Sequence, residues 1–185
     1  MTAQQRYLFG TLFDVGDHLF ALIMVIILAR PKLRRMAGAL VGGASSGVAA
    51  LGIIAIGEHV GWWHMAIAWE PYFLTVLWID FTLCGFVLLI TWRIARRFGW
   101  RGLAVVFVIA AVLGPVREYR HMMAQIPDLR SFAPGFAPVL GISATYVLFG
   151  VLGHGVMRLV AGPAGSDQFA GRGWFLGNEE STATV

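Results

Sequence analysis

The sequence predicts an all-α integral membrane protein, a bundle of five transmembrane helices, and three observations lead there. Hydrophobic residues make up 58% of the 185 and charged residues only 13%, where a soluble domain carries about a quarter charged. The mean hydropathy is +0.73. The apolar residues also fall into five runs, four of them near the roughly 20 residues that a helix needs to cross a bilayer and the fourth in order shorter, with basic, glycine- or proline-containing segments between them.

The first run, about 12–29, has His18 to Ala29 as its uninterrupted part and is closed by Arg30-Pro31, because proline cannot continue the hydrogen-bonding of a helix. Lys32, Arg34 and Arg35 then mark a turn. The second run, about 36–57, contains the pairs Gly38-x3-Gly42 and Gly43-x3-Gly47. Small residues four apart let helix backbones approach closely, so this helix is expected at the centre of the bundle.

The third run, about 72–92, carries Asp80 and ends at Arg93, Arg96 and Arg97. Gly99, Trp100 and Arg101 form a short turn into the fourth, about 102–116, where Pro115 is expected to end or kink the helix. A loop with Pro127 and Pro134 precedes the fifth run, about 138–160, which has Gly150 and Gly153. The bundle thus occupies 1–162, and the Gly-, Ser- and Thr-rich stretch 163–185 reads as a weakly ordered tail.

Basic residues decide the orientation. Ten of the 14 fall on one side of this topology: Arg30, Lys32, Arg34, Arg35, Arg93, Arg96, Arg97, Arg101, Arg158 and Arg172. Arg6, Arg117, Arg120 and Arg130 fall on the other. The positive-inside rule makes the first side cytoplasmic, with the N-terminus exoplasmic and the C-terminus cytoplasmic. The expected location is a bacterial cytoplasmic (inner) membrane, crossed several times.

The net charge of +4 does not indicate nucleic acid, since the basic residues sit in short clusters beside apolar runs. Cys84 is the sole cysteine, which removes an intrachain disulfide and any paired-cysteine redox or zinc motif. Asp14, Asp17 and His18 interrupt the first apolar run and no small-residue cleavage site follows it, so no signal peptide is expected. Ser45-Ser46-Gly47 does not complete the Gly-x-Ser-Gly pattern of intramembrane serine peptidases, because Ala44 stands at the first glycine.

Chemistry is expected at the exoplasmic end. Ionisable residues inside a bilayer are costly and are retained where something satisfies or uses them. Glu58, His59, Trp62, Trp63 and His64 lie between the second and third runs, and Asp80 is the deepest carboxylate. Asp14, Asp17 and His18 fall within four residues and share a helical face. Glu118-x2-His121 repeats the carboxylate and imidazole spacing of di-iron bundles. The expected roles are Asp80, Glu58 and Glu118 as catalytic carboxylates, and Asp17, His18, His59 and His121 as ligands of a zinc or iron ion. Arg117 and Arg120, with Trp62 and Trp63, would hold the ligand. Asp80 is expected to face Glu58, Asp17, His18 and the 117–121 turn across the bundle.

The function this suggests is a pocket open to the exoplasmic leaflet that binds or transforms a lipophilic small molecule, a lipid or isoprenoid. Membrane lipids, and partner membrane subunits or further copies of the chain, are the expected neighbours. Two other classes fit the same residues. In one, the polar layer consists of ion pairs and interfacial tryptophans in a non-enzymatic structural or assembly subunit. In the other, two of the exoplasmic-side histidines hold haem b in an electron carrier.

Overall fold

A computed structural model describes residues 3–69, 73–122 and 130–163. The expected tail, apart from Pro163, lies outside these residues, as do Glu70, most of the proline-containing loop, and the side chains of Asp14 and His121. The order is α1 (Ala3–Ala29), α2 (Leu33–His59), β1 (Trp63–Met65), a 3-10 turn (Ala66–Ala68), α3 (Phe73–Arg117), a π-turn (Glu118–Met122), β2 (Arg130–Phe132) and α4 (Phe136–Ala161).

Three helical stretches are long and apolar enough to cross a membrane: Leu33–His59, Phe73–Arg120 and Phe136–Ala161. In α1 the apolar stretch, Val15–Ala29, is shorter. The protein is therefore an all-α protein of membrane type. Its outward faces bear this out: Ile27 and Leu28 of α1, and Val105, Val108 and Val112 of α3, are all exposed, large apolar side chains that suit hydrocarbon better than water.

α3 is two helices. At 1.5 Å per residue its 45 residues would reach about 68 Å, more than twice the roughly 30 Å of a hydrocarbon core. Gly99 breaks it, with φ 62° and ψ −153°, a backbone that a side chain would strain. The two arms, 73–98 and 100–117, fold back on each other. A Cβ added at Gly102 would stand 2.9 Å from the Ile94 side chain, a residue that a straight helix would hold about 12 Å away. Thr91 on the first arm and Phe107 on the second both touch His154. Five helical arms result, with bounds that differ from the expected runs: α1 begins at Ala3 rather than near 12, and the arm after Gly99 begins two residues before 102.

α2 is the central helix, and its two glycine pairs serve two neighbours. Gly38 and Gly42 lie on α4, where added Cβ atoms would come within 3.1 Å of the Met157 carbonyl and 2.6 Å of the Gly153 carbonyl. Gly43 and Gly47 lie on the first arm of α3, against the Phe81 carbonyl at 2.6 Å and Asp80 Cβ at 3.3 Å. These contacts run antiparallel in both cases. α1 runs parallel to the first arm, with His18 beside Phe86 and Ala29 beside Arg93. Directions therefore alternate along the chain.

At the end where α1 and α4 finish, arginines satisfy the carbonyls that a helix terminus leaves without donors. Arg35, 1% exposed, donates to the carbonyls of Gly162 at 3.0 Å and Pro163 at 2.9 Å. Arg34 Nε reaches the Val160 carbonyl at 2.7 Å, and Arg93 the Ala29 carbonyl at 2.6 Å. Trp92 lies under Arg35 and Arg93, 5.5 and 6.0 Å from ring centre to guanidinium carbon, in cation–π range.

Pro115 neither ends nor breaks its helix, which continues to Arg117. Proline removes the donor for the carbonyl four residues earlier, here Ala111. The Ser143 hydroxyl on α4 donates to that carbonyl at 2.7 Å instead. The winding then widens into the π-turn at Glu118.

Candidate functional site

The opposite end is closed by a two-stranded ribbon that sequence periodicity does not reveal, because each strand has three residues. β1 and β2 pair antiparallel with Trp63 opposite Phe132, His64 opposite Ser131 and Met65 opposite Arg130. Trp63 is buried over Gly57, where any side chain would collide with the indole, and its Nε1 donates to the Ile54 carbonyl at 3.1 Å. Trp62 meets Trp63 edge-on at 5.9 Å and lies over Gly141 of α4. Both tryptophans thus seat the ribbon on the helices.

Glu58, at the end of α2, clasps the connection to α3. Its Oε1 accepts from the Met65 backbone N–H at 2.9 Å and its Oε2 from Trp69 Nε1 at 2.7 Å. His64 Nδ1 stands 3.4 Å from Oε1, with its side chain 66% exposed. Glu58 is therefore occupied in holding the loop.

The ribbon's other strand delivers Arg130 to Glu118, Nη1 to Oε2 at 3.5 Å, with both side chains largely buried. Glu118 Oε1 accepts from Arg117 Nη1 at 2.9 Å and from the Tyr146 hydroxyl at 2.9 Å. Arg117 Nη1 also donates to the Tyr146 oxygen at 3.2 Å. Tyr119 stacks on Phe132 of β2, centroids 4.6 Å apart, and its buried hydroxyl has no hydrogen-bond partner among the described residues.

Asp80 is the fifth member of this centre. It lies in the fields of Glu118, Arg130 and Arg117, while none of the described residues hydrogen-bonds to its carboxylate or pairs with it within 4 Å. Glu118 is bonded directly to Arg117, Arg130 and Tyr146, while Asp80 interacts with the charged members only through their fields. Proton exchange and the binding of a polar headgroup are the chemistries such a set supports.

Several expectations need correction. Asp80 does not face Glu58: it packs on Gly47, eleven residues before Glu58 on α2, which is about 16 Å along the helix. The two are joined only indirectly, through Met65, its ribbon partner Arg130, and Glu118. Asp17 and His18 stand well inside α1 because the helix starts earlier than expected; Asp17 is exposed, and His18 packs against Phe86, deeper than Asp80. His59 is exposed at the end of α2, and Arg120 is exposed beside the centre and outside it. Arg130 takes the place expected for Arg120.

The ligand set Asp17, His18, His59 and His121 is consequently not assembled among the described residues, where no three His, Cys, Asp or Glu side chains come together in a way that would hold a zinc or iron ion. Tyr146 and Arg130 are the members that the sequence did not single out. A lone phenol within the last apolar run was the available signal for Tyr146.

Comparison with protein-family models, curated proteins and solved structures finds no match.

Proposed function

We propose that the five arms each cross a bacterial cytoplasmic membrane, with the ribbon end exoplasmic, and that Asp80, Glu118, Arg117, Arg130 and Tyr146 bind and act on a lipophilic small molecule with a polar head, such as a lipid or isoprenoid. The observation that carries this reading is Asp80. A carboxylate in a bundle interior that merely stabilised the fold would be directly paired, as Glu118 is, since leaving a buried charge unpaired costs several kcal/mol. Asp80 instead lies in the fields of Arg117 and Arg130 with no direct partner among the described residues, which is how a group that exchanges a proton or meets a ligand is kept. In this role the arginines hold the anionic or polar head, and the carboxylates take and return protons. A resident metal has no support from the described side chains.

The test is Asp80→Asn in the purified chain. Loss of a co-purifying lipophile, seen by solvent extraction and mass spectrometry, with thermal stability unchanged or higher, is the expected result. A variant that loses stability while wild type carries no lipophile would instead make the layer structural, and co-purification in a larger complex would point to an assembly subunit.

A further inference from the structure

At the basic end of the bundle some cations are bonded and others are exposed. Arg34, Arg35 and Arg93 are bonded to helix-terminal carbonyls. Arg30, Lys32, Arg97, Arg101 and Arg158 are exposed. Among the described residues this end holds no aspartate or glutamate: Asp17, Glu58, Asp80 and Glu118 all lie toward the ribbon or along the bundle. Among the described residues the exposed charges at this end are therefore of one sign, with no acidic side chain beside them.

At its tip the reversal at Gly99 presents two large aromatic rings. Phe98 and Trp100 are 60% and 75% exposed, the latter among the most exposed large side chains of the protein. Arg97 lies over Phe98 at 5.3 Å and Arg101 over Trp100 at 5.9 Å. Each guanidinium thus shares its position with a ring. Rings of this kind settle at the level of lipid headgroups, and a guanidinium offers a fork of donors matched to phosphate oxygens.

From this we infer that the Gly99 hairpin tip is a docking site for anionic phospholipid headgroups, with Arg97 and Arg101 on the phosphate and Phe98 and Trp100 at the acyl boundary. The inference rests on the membrane reading above but not on the outer centre. The occupant is a phospholipid rather than free phosphate because the cations come with exposed apolar rings, which a free anion does not use. Removing a positive charge near an anionic lipid surface weakens attachment about fivefold.

The experiment is native mass spectrometry of the full chain in detergent, titrated with phosphatidylglycerol or phosphatidylcholine of equal chain length. Phosphatidylglycerol adducts should persist at energies that strip phosphatidylcholine. The R97Q/R101Q double variant should lower phosphatidylglycerol occupancy by about an order of magnitude or more. R97K/R101K, which keeps the charge and loses the fork, should fall between wild type and R97Q/R101Q, and Trp100→Ala should weaken both lipids. Equal retention of the two lipids, an R97Q/R101Q variant that binds like wild type, or displacement of lipid by millimolar inorganic phosphate or by an oligonucleotide would overturn the inference. Because all of these variants lie at the end opposite Asp80, failure here leaves the outer centre to its own test.

Discussion

The Tyr146 hydroxyl donates to Glu118 Oε1 at 2.9 Å, and Arg117 binds both partners of that bond from the end of α3. The phenol reaches this point because Gly114 offers no side chain: a Cβ there would stand 2.5 Å from the ring. The contact ties the returning arm of α3 to the middle of α4 at the level where the ribbon arrives with Arg130. Glu118→Ala would leave two guanidiniums facing each other, at a cost of about 2 kcal/mol, below the figure for a fully buried pair because the Arg117 side chain is 37% exposed. Tyr146→Phe keeps the ring over Gly114 and loses one hydrogen bond, about 1 kcal/mol. Reversible unfolding in mixed micelles measures both, and an order opposite to this would mean that the phenol, not the carboxylate, holds the arms together.

What was legible in the sequence follows from the range of the interactions. Gly38, Gly42, Gly43 and Gly47 could be read because a four-residue spacing is a property of one helix. The reversal at Gly99 could be read because cations and a glycine interrupt a run too long for one crossing. The partner of Glu118 could not: Arg130 is brought by a strand that pairs with residues 65 positions away, and three-residue strands leave no alternation to detect. Asp17 and His18 were placed in the wrong layer for a different reason. The turn preceding them, with Tyr7, Leu8 and Phe9, is apolar enough to continue α1 outward, which carries both residues deeper than a helix starting near 12 would.

The glycines of α2 are not equivalent. An alanine at position 43 would bring its Cβ to 2.6 Å from the Phe81 backbone carbonyl, which cannot rotate away, whereas position 52 has nothing within 4 Å. Gly43→Ala should therefore destabilise by about 1–3 kcal/mol through overpacking. Gly52→Ala should be neutral or stabilising by up to about 1 kcal/mol, from the better helix propensity of alanine. The same unfolding measurement ranks them, and equal effects would contradict the assignment of Gly43 to the interface with α3.

Arg35 fastens the end of α4 from the start of α2 with hydrogen bonds to Gly162 and Pro163 while resting on Trp92. Lysine supplies charge without the planar fork. Arg35→Lys should then retain only part of the contact, and Arg35→Gln should cost about 3 kcal/mol or more, since charge-assisted bonds are worth about 1.5–3 kcal/mol each. Limited proteolysis after residue 160 gives an independent readout: cleavage should accelerate in the order wild type, Arg35→Lys, Arg35→Gln.

Ser143 and Pro115 form a pair whose members touch only through a third group. Proline at 115 deprives the Ala111 carbonyl of its intrahelical donor, and the Ser143 hydroxyl fills that vacancy at 2.7 Å from a different helix. In hydrocarbon an unsatisfied carbonyl is costly, so Ser143→Ala should destabilise by about 1–2 kcal/mol, the range found for hydrogen bonds between membrane helices. Pro115→Ala restores an N–H to the carbonyl, and in that background the serine has little left to supply. The double-mutant cycle should therefore show Ser143→Ala nearly neutral beside Pro115→Ala, a coupling of about 1 kcal/mol. Strict additivity would mean that the hydroxyl serves its alternative acceptor, the Val139 carbonyl at 3.1 Å within its own helix, and that the junction between α3 and α4 is held by Tyr146 and Gly150 instead.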